Sequence, residues 1–332
     1  MTNILILSAG RRVELVNCFK NARDRLGIKG QIIAADASEL APALYFADIN
    51  EIVPRISEND EYIQAIINIC HHFNVSLIVP TIDTELILLS ERKREIELET
   101  GAKVLISEPK VISICRDKRN TQVFLEEHGF KAPRLYSEEE LDAGKVEYPL
   151  FIKPRDGSSS IDAFRVDTEE ELTAFRHYIH RPMVQEFLTG EEYTVDCFLD
   201  FDSNLISVVP RRRLATRSGE IAKGVIVRNR PIMESVSQLM KELHPVGHIT
   251  VQCMKTADDI KYIEINPRFG GGAPMSIMAG ADSCEWLYRL LNGEKLYYSD
   301  KFRDNITYLR FDQSIMLNEN MRREAEYEGS IF

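Results

Sequence analysis

The sequence predicts an α/β protein whose first part is an open, mostly parallel sheet of the doubly wound type. Three observations carry that expectation. Residues 1 to about 107 alternate short apolar strands with amphipathic helices. After Pro109 the alternation gives way to hairpins and separate helices. Near the far end, Tyr262-Ile263-Glu264-Ile265-Asn266-Pro267-Arg268 reads as one strand that runs out beside Gly270, Gly271 and Gly272.

In the first part, strand 4–7 precedes a helix carrying Val13, Val16, Phe19, Ala22 and Leu26 on one face, and strand 31–35 follows. Helix 61–73, strand 76–79, helix 84–94 and strand 103–106 complete the unit. Its first turn, Ser8-Ala9-Gly10-Arg11-Arg12, with Asp36 after the second strand, invites a dinucleotide reading. One glycine stands where the GxGxxG fingerprint needs three, so close approach of a pyrophosphate is poorly served. The stretch from Pro80 to Glu85 lies at the carboxyl edge of the sheet, where such folds bind ligands. A helix cap with acids in its first turn explains it equally well.

Beyond Pro109, Arg116-Asp117-Lys118 opens a helix that ends near Gly129. Strand 149–153 ends in Lys153-Pro154, and Gly157, Ser158, Ser159 and Ser160 then form a loop of small residues before strand 161–166. Strand, small loop and returning strand make a flap whose amides and hydroxyls suit phosphates. Helix 169–180 leads to Gln185-Glu186-Phe187-Leu188, where free backbone groups suit an adenine edge, and Glu192 suits ribose hydroxyls. Strands 193–200 and 205–214 follow, the second bearing Arg211, Arg212 and Arg213, then Lys223 and strand 225–228. Alternation puts Arg211 and Arg213 on one face, flanking a pocket for an anionic substrate, with an ion-pair ladder as the competing account. Helix 233–243 precedes the last hairpin, and one long helical segment, 273–291, covers it.

That hairpin is the centre of the chain. With a turn near Asp258, Gln252 faces Glu264 across the strands, while Ile263 and Ile265 point into the core and Glu264 and Asn266 share the other face. Gln252, Glu264 and Asn266 then form a hard-oxygen cluster with Arg268 at its edge. Magnesium suits one or two carboxylates, carbonyl oxygens and substrate phosphates, with manganese as a substitute. Arg268 is placed to neutralise a transferring phosphoryl group.

Composition narrows the field. Hydrophobic residues at 44% and charged residues at 28% describe an ordinary globular chain, and its 332 residues allow two or three domains. With 41 basic against 52 acidic residues the net charge is −11, which argues against nucleic acid as a partner. The six cysteines are scattered without a CxxC pair, as in reduced buried thiols, and the seven histidines form no HExxH. No run of 18 apolar residues points to a membrane, and the short N-terminal apolar run is too short for a secretory signal. A cytoplasmic location is expected.

The ordered set Lys118, Lys153-Pro154, the 157–160 loop, 185–188, Glu192, Gln252 and Glu264-Ile265-Asn266-Pro267-Arg268 resembles the ATP-grasp superfamily. The likeness is to one synthetase unit of the carbamoyl phosphate synthase large subunit and to related carboxylate-amine ligases. It implies a Rossmann-like preceding domain over 1–110, a lid subdomain over 111–190, and a C-terminal subdomain over 191–332 carrying the metal and substrate site. It further implies that Lys118, Lys153 and the 157–160 loop hold ATP phosphates. Glu186, Phe187 and Leu188 would meet adenine, and Glu192 the ribose. Gln252, Glu264 and Asn266 would hold the metal, with Arg268 and Lys153 catalytic and Arg211, Arg213, Lys223 and Arg268 facing substrate. The flap departs from the pattern, with one glycine before three serines. The implied activity is ATP-dependent ligation through an acyl phosphate, from small-molecule carboxylate and amine substrates. An ATP-binding sensor or partner subunit, a carbamoyl phosphate synthase-like half unit and a nicotinamide oxidoreductase are the alternatives. Substrate identity and oligomeric state stay open, a homodimer among the options.

Overall fold

Apolar runs such as Ile4-Leu5-Ile6-Leu7 suit strands buried on both faces, and all four residues are fully enclosed. The computed structural model describes residues 1–157, 161–217 and 219–318. Its first unit contains β1 (Asn3–Ile6), α1 (Val13–Arg25), β2 (Ile32–Asp36), β3 (Ile49–Ile52), α2 (Asn59–Phe73), β4 (Val75–Val79), α3 (Leu86–Thr100) and β5 (Lys103–Val104). All pairings in this sheet are parallel, in the order β3-β2-β1-β4-β5. Alternate side chains divide between two cores. Ile4, Ile6, Ile32 and Ala34 pack with α1, whereas Leu5, Leu7, Ile33 and Ala35 pack with α2 and α3. Strand β3 had no sequence signal, because Ile49-Asn50-Glu51-Ile52 lacks both a continuous apolar run and a clean alternation.

Next come α4 (Pro109–Arg116), α5 (Lys118–Glu127), α6 (Glu138–Asp142), β6 (Leu150–Pro154), β7 (Phe164–Val166), α7 (Glu169–Tyr178) and β8 (Pro182–Glu186). The three strands form an antiparallel sheet, β7-β6-β8, over a small core that includes Leu141, Leu150, Ile152 and Leu172. Helices α4 and α5 pack elsewhere. Their Val111, Cys115, Phe124 and Leu125 join the core of the third sheet.

That third unit holds β9 (Glu191–Leu199), β10 (Leu205–Arg217), β11 (Glu220–Ile226), α8 (Arg230–Leu243), β12 (Gly247–Lys255), β13 (Ile260–Asn266), α9 (Ala273–Met278), α10 (Ser283–Leu291) and β14 (Ile306–Leu309). Its sheet is antiparallel in the order β13-β12-β9-β10-β11-β14. One face is apolar and buried under α8, whose Ile232, Val236, Leu239 and Leu243 recur at helical spacing. Thr194, Asp196, Arg211, Thr250 and Asn266 are buried polar residues on the same strands. The single helix expected over 273–291 is two helices. Gly280 adopts φ 110, which ends α9, and Asp282 then caps α10 by accepting the Glu285 N–H at 2.9 Å. Among the described residues, no helix is long and apolar enough to cross a membrane.

Candidate active site

The β12–β13 hairpin forms one wall of a cleft of about 350 Å³. Gln252 pairs with Glu264 and Thr250 with Asn266, the register expected from the turn position. Further along, Cys253 pairs with Tyr262, which leaves Ile263 as an extra residue on β13. This bulge corrects the expected facing. Tyr262 and Ile265 point into the core, whereas Ile263 lines the cleft beside Gln252 and Glu264.

Two lysines meet Glu264 from other elements. Asp117 caps α5 by accepting the Arg119 N–H at 2.9 Å, and the Lys118 N–H donates to the Arg155 carbonyl at 3.0 Å. Arg155 is tied back to Asp117 by two hydrogen bonds, which join the start of α5 to the end of β6. The Lys118 ammonium donates to the Gly157 carbonyl and lies 3.8 Å from Glu264. Lys153, on β6, is 5% exposed. Burial lowers its pKa to about 8, with Lys118 adding to the fall and Glu264 opposing it. Two ammonium groups and a carboxylate thus line one cleft with Gly157. Gly157 lines the cleft; Ser158, Ser159 and Ser160 lie outside the described residues.

Gln185, Glu186, Phe187, Leu188 and Glu192 line the opposite end. The Glu186 carboxylate accepts from the Lys261 ammonium at 2.5 Å and the Arg134 N–H at 2.7 Å. Its side chain therefore fastens β8 to β13. Gln185 donates to the Gln122 carbonyl oxygen at 2.7 Å, and Gln122 donates to the Pro133 carbonyl at 2.9 Å. Phe151, Met254 and Ile263 supply apolar walls. Gln122, Phe151, Met254 and Lys261 carry no functional signal in the sequence, because each is an ordinary residue of a periodic segment until the strands are paired.

The arginines divide. Arg213 lines the cleft and donates to Glu192 at 2.5 Å and to the Gly219 carbonyl at 2.8 Å. Arg211 is 1% exposed and serves the interior: it donates to the Gly272 carbonyl at 2.7 Å and lies 3.1 Å from Asp196. Burial pushes the Asp196 carboxyl up, but Arg211, His248 and Ser276 outweigh it and hold the pKa at about 2. Lys223 is exposed on β11, in register with Ala215 and Leu309, and is not among the residues that line the cleft. Arg268 leaves β13 toward the first sheet and pairs with Asp83, the acid flagged in the 80–85 stretch. Glu85 beside it is a cap, accepting the N–H groups of Thr81 and Ile82. Asp36 is likewise used internally, by the N–H groups of Gly10 and Ser38.

Gln252, Glu264 and Asn266 offer one carboxylate and two amide carbonyl oxygens. This all-oxygen set fits a magnesium ion that takes its remaining ligands from nucleotide phosphates and water. Among the described residues no group of three or more His, Cys, Asp or Glu is placed to hold a metal by itself. A shared protein and phosphate coordination is the arrangement this donor set suits.

Two family descriptions match successive parts of the chain: "PylC-like, N-terminal domain" over residues 4–105, and "ATP-grasp in the biosynthetic pathway with Ter operon" over residues 179–313. The second covers Glu186 through Arg268, the cleft wall and its hairpin. Over residues 179–313 the chain is thus similar to the ATP-grasp superfamily. The large chain of carbamoyl phosphate synthase from Agathobacter rectalis is 23% identical over 250 residues, 68% of this chain and 23% of that protein. A D-alanine–D-alanine ligase from Fusobacterium nucleatum is 28% identical over 134 residues, 40% of this chain and 44% of that one. The chain therefore spans 23%, 48% and 44% of three curated relatives it matches. In fold, it superposes on a biotin carboxylase from Campylobacter jejuni with a TM-score of 0.71, at 17% identity, covering 92% of this chain and 74% of that one. An L-amino acid ligase from Bacillus licheniformis gives 0.67 at 18% identity, covering 91% and 76%.

Proposed function

We propose that this protein is an ATP-dependent ligase joining a small carboxylic acid to an amine. The observation that carries the reading is the convergence of Lys118, Lys153, Glu192, Gln252 and Glu264 on one cleft from five separate elements. Phosphoryl transfer asks a protein for alignment and charge neutralisation rather than covalent chemistry, and these are the groups for it. Lys118 and Lys153 hold the nucleotide phosphates, and Glu192 holds the ribose. Gln252, Glu264 and Asn266 hold the metal, which screens phosphate charge when bound. Gly157, whose carbonyl accepts from the Lys118 ammonium, lines the same cleft.

In this reading a carboxylate oxygen of the acid attacks the γ-phosphorus, the bond to ADP breaks, and an acyl phosphate forms beside Arg268. The amine then attacks the acyl carbon and phosphate leaves with the bonding electrons. The amine's proton passes to solvent or to a basic group. The similarity to a D-alanine–D-alanine ligase and the fold shared with an L-amino acid ligase support an amino acid or small acid as substrate. A carbamoyl phosphate synthase-like half unit has the support of the 250-residue match to that large chain. A coupled ADP-release screen over paired acids and amines, with mass spectrometry of the product, tests the ligase. A condensed acid–amine product supports it; bound Mg-ATP with no ADP formed from any pair supports a nucleotide-binding subunit instead.

A further inference from the structure

The strand order β3-β2-β1-β4-β5 reverses direction between β1 and β4. Open α/β sheets bind ligands beyond the carboxyl ends of their strands at such a reversal. Two turns of this chain meet there, residues 8–12 after β1 and residues 80–85 after β4. The first is held in left-handed backbone at Ser8, φ 46, and at Gly10, φ 44. Non-glycine residues persist in that region only where their surroundings fix them. Here Thr81 donates its hydroxyl to the carbonyls of Leu7 and Ser8, and the Ser8 hydroxyl donates to Glu85 at 2.7 Å.

This turn delivers Arg12 to Glu220 and to the glycine loop after β13. Its Nη2 is 3.4 Å from the Thr81 carbonyl and its Nη1 is 3.7 Å from Glu220. A Cβ on Gly271 would stand 2.8 Å from Nη1, so the glycine loop packs directly on the guanidinium. From the other side Arg268 takes Asp83 with two hydrogen bonds. Arg12 and Arg268 therefore bracket residues 81–83 from opposite domains.

The carboxylates at this junction hold other arginines more closely than they hold Arg12. Asp83 is engaged on both oxygens by Arg268, and Glu220 is shared with Arg310 at 3.0 Å. Arg12 is left with long contacts only, although its side chain is only 19% exposed. Burial and the neighbouring Arg268 and Arg310 hold its pKa below the usual arginine value, while Glu220 and Asp83 oppose this. An enclosed guanidinium that repels a second one, in a chain of net charge −11, is prepared for an anion arriving from solution.

We infer that Arg12 is a substrate-binding residue, reading a second anionic group on the acid whose first carboxylate is activated beside Arg268. The substrate class is then a dicarboxylate or an acidic amino acid. The inference rests on the ligase reading and adds to it the acid's second charge and the residue that reads it.

The test uses full-length wild type and the variants Arg12→Gln, Arg12→Lys and, as a control, Arg212→Gln, whose arginine pairs with Glu191 outside the cleft. Calorimetry with Mg-AMP-PNP first establishes nucleotide binding in each. ADP release is then followed with length-matched acids, succinate against butyrate and L-glutamate against L-glutamine, each with a panel of amines. The expected result is release driven by the doubly anionic member. Arg12→Gln should raise the KM for that acid at least about tenfold, leave the KM for ATP unchanged, and be partly rescued by Arg12→Lys. Equal stimulation by the singly charged partner overturns the inference. So does an unchanged acid KM in Arg12→Gln, or nucleotide binding with no acid stimulating release. Absence of Mg-AMP-PNP binding in wild type fails the ligase reading itself.

Discussion

Arg268 holds Asp83 through two parallel hydrogen bonds, 3.0 Å from Nε to Oδ1 and 2.6 Å from Nη2 to Oδ2. The two residues are 185 positions apart in sequence. The pair therefore joins the first sheet to the exit of β13 and fixes where Arg268 faces. Asp83→Ala leaves a nearly buried guanidinium unpaired, and loss of one partner of such a pair costs about 3 kcal/mol. Denaturant unfolding should register that loss, and Arg268→Ala should cost no more when added to it.

The same pair sets an acid limit. Burial pushes the Asp83 carboxyl up, but the charge and hydrogen bonds of Arg268 outweigh it and leave the pKa below 3.8. A carboxylate with a depressed folded-state pKa contributes its stability above its unfolded value, and loses it as pH falls through the folded one. Wild type should lose this increment below about pH 4. Asp83→Asn should show a shallower acid transition in the same thermal-melt series.

Lys153 gives the opposite sign. Its pKa of about 8 means that the unfolded chain binds more protons between about 8 and 10.5, so this lysine lowers stability below that window and ceases to do so as pH rises through it. Phosphate binding needs the ammonium form. Mg-AMP-PNP affinity should therefore fall above pH 8, by up to about tenfold per pH unit. Lys153→Met should bind weakly at all pH values and lose the dependence, as read by calorimetry between pH 7 and 9.

Gly272 is required by contact rather than by backbone freedom. A Cβ there would lie 1.7 Å from Nη1 of Arg211, whose pairing with Asp196 is fully buried. Gly272→Ala must displace the arginine, at a cost of about 3 kcal/mol or more. Its melting temperature should fall below that of Gly101→Ala, where no atom lies within 4 Å of the added carbon and the cost is only that of a left-handed backbone, φ 73, about 1 kcal/mol.

Much of this site was legible because strands keep a period of two. The position of the turn alone put Gln252 opposite Glu264, and short apolar runs between amphipathic helices located β1, β2 and β4. What escaped the sequence depends on irregularity or on distance. The bulge at Ile263 turned that residue to the cleft and Tyr262 to the core, while Glu264 and Ile265 kept the expected facing. Arg211 was assigned to a substrate on residue type, but its partner Asp196 and the carbonyl of Gly272 come from strands and loops that only the fold brings together. The 80–85 stretch could be placed at a sheet edge, yet nothing local said that Asp83 belongs to Arg268.

The central claim is that Glu264, with Gln252 and Asn266, holds a divalent ion against a nucleotide's terminal phosphates. The most direct measurement is calorimetric titration of AMP-PNP into wild type and Glu264→Gln, with and without magnesium. Wild type should bind with one site and lose at least about tenfold in affinity when magnesium is removed, and Glu264→Gln should bind weakly and equally in both conditions. Magnesium-dependent affinity that survives intact in Glu264→Gln would contradict the account.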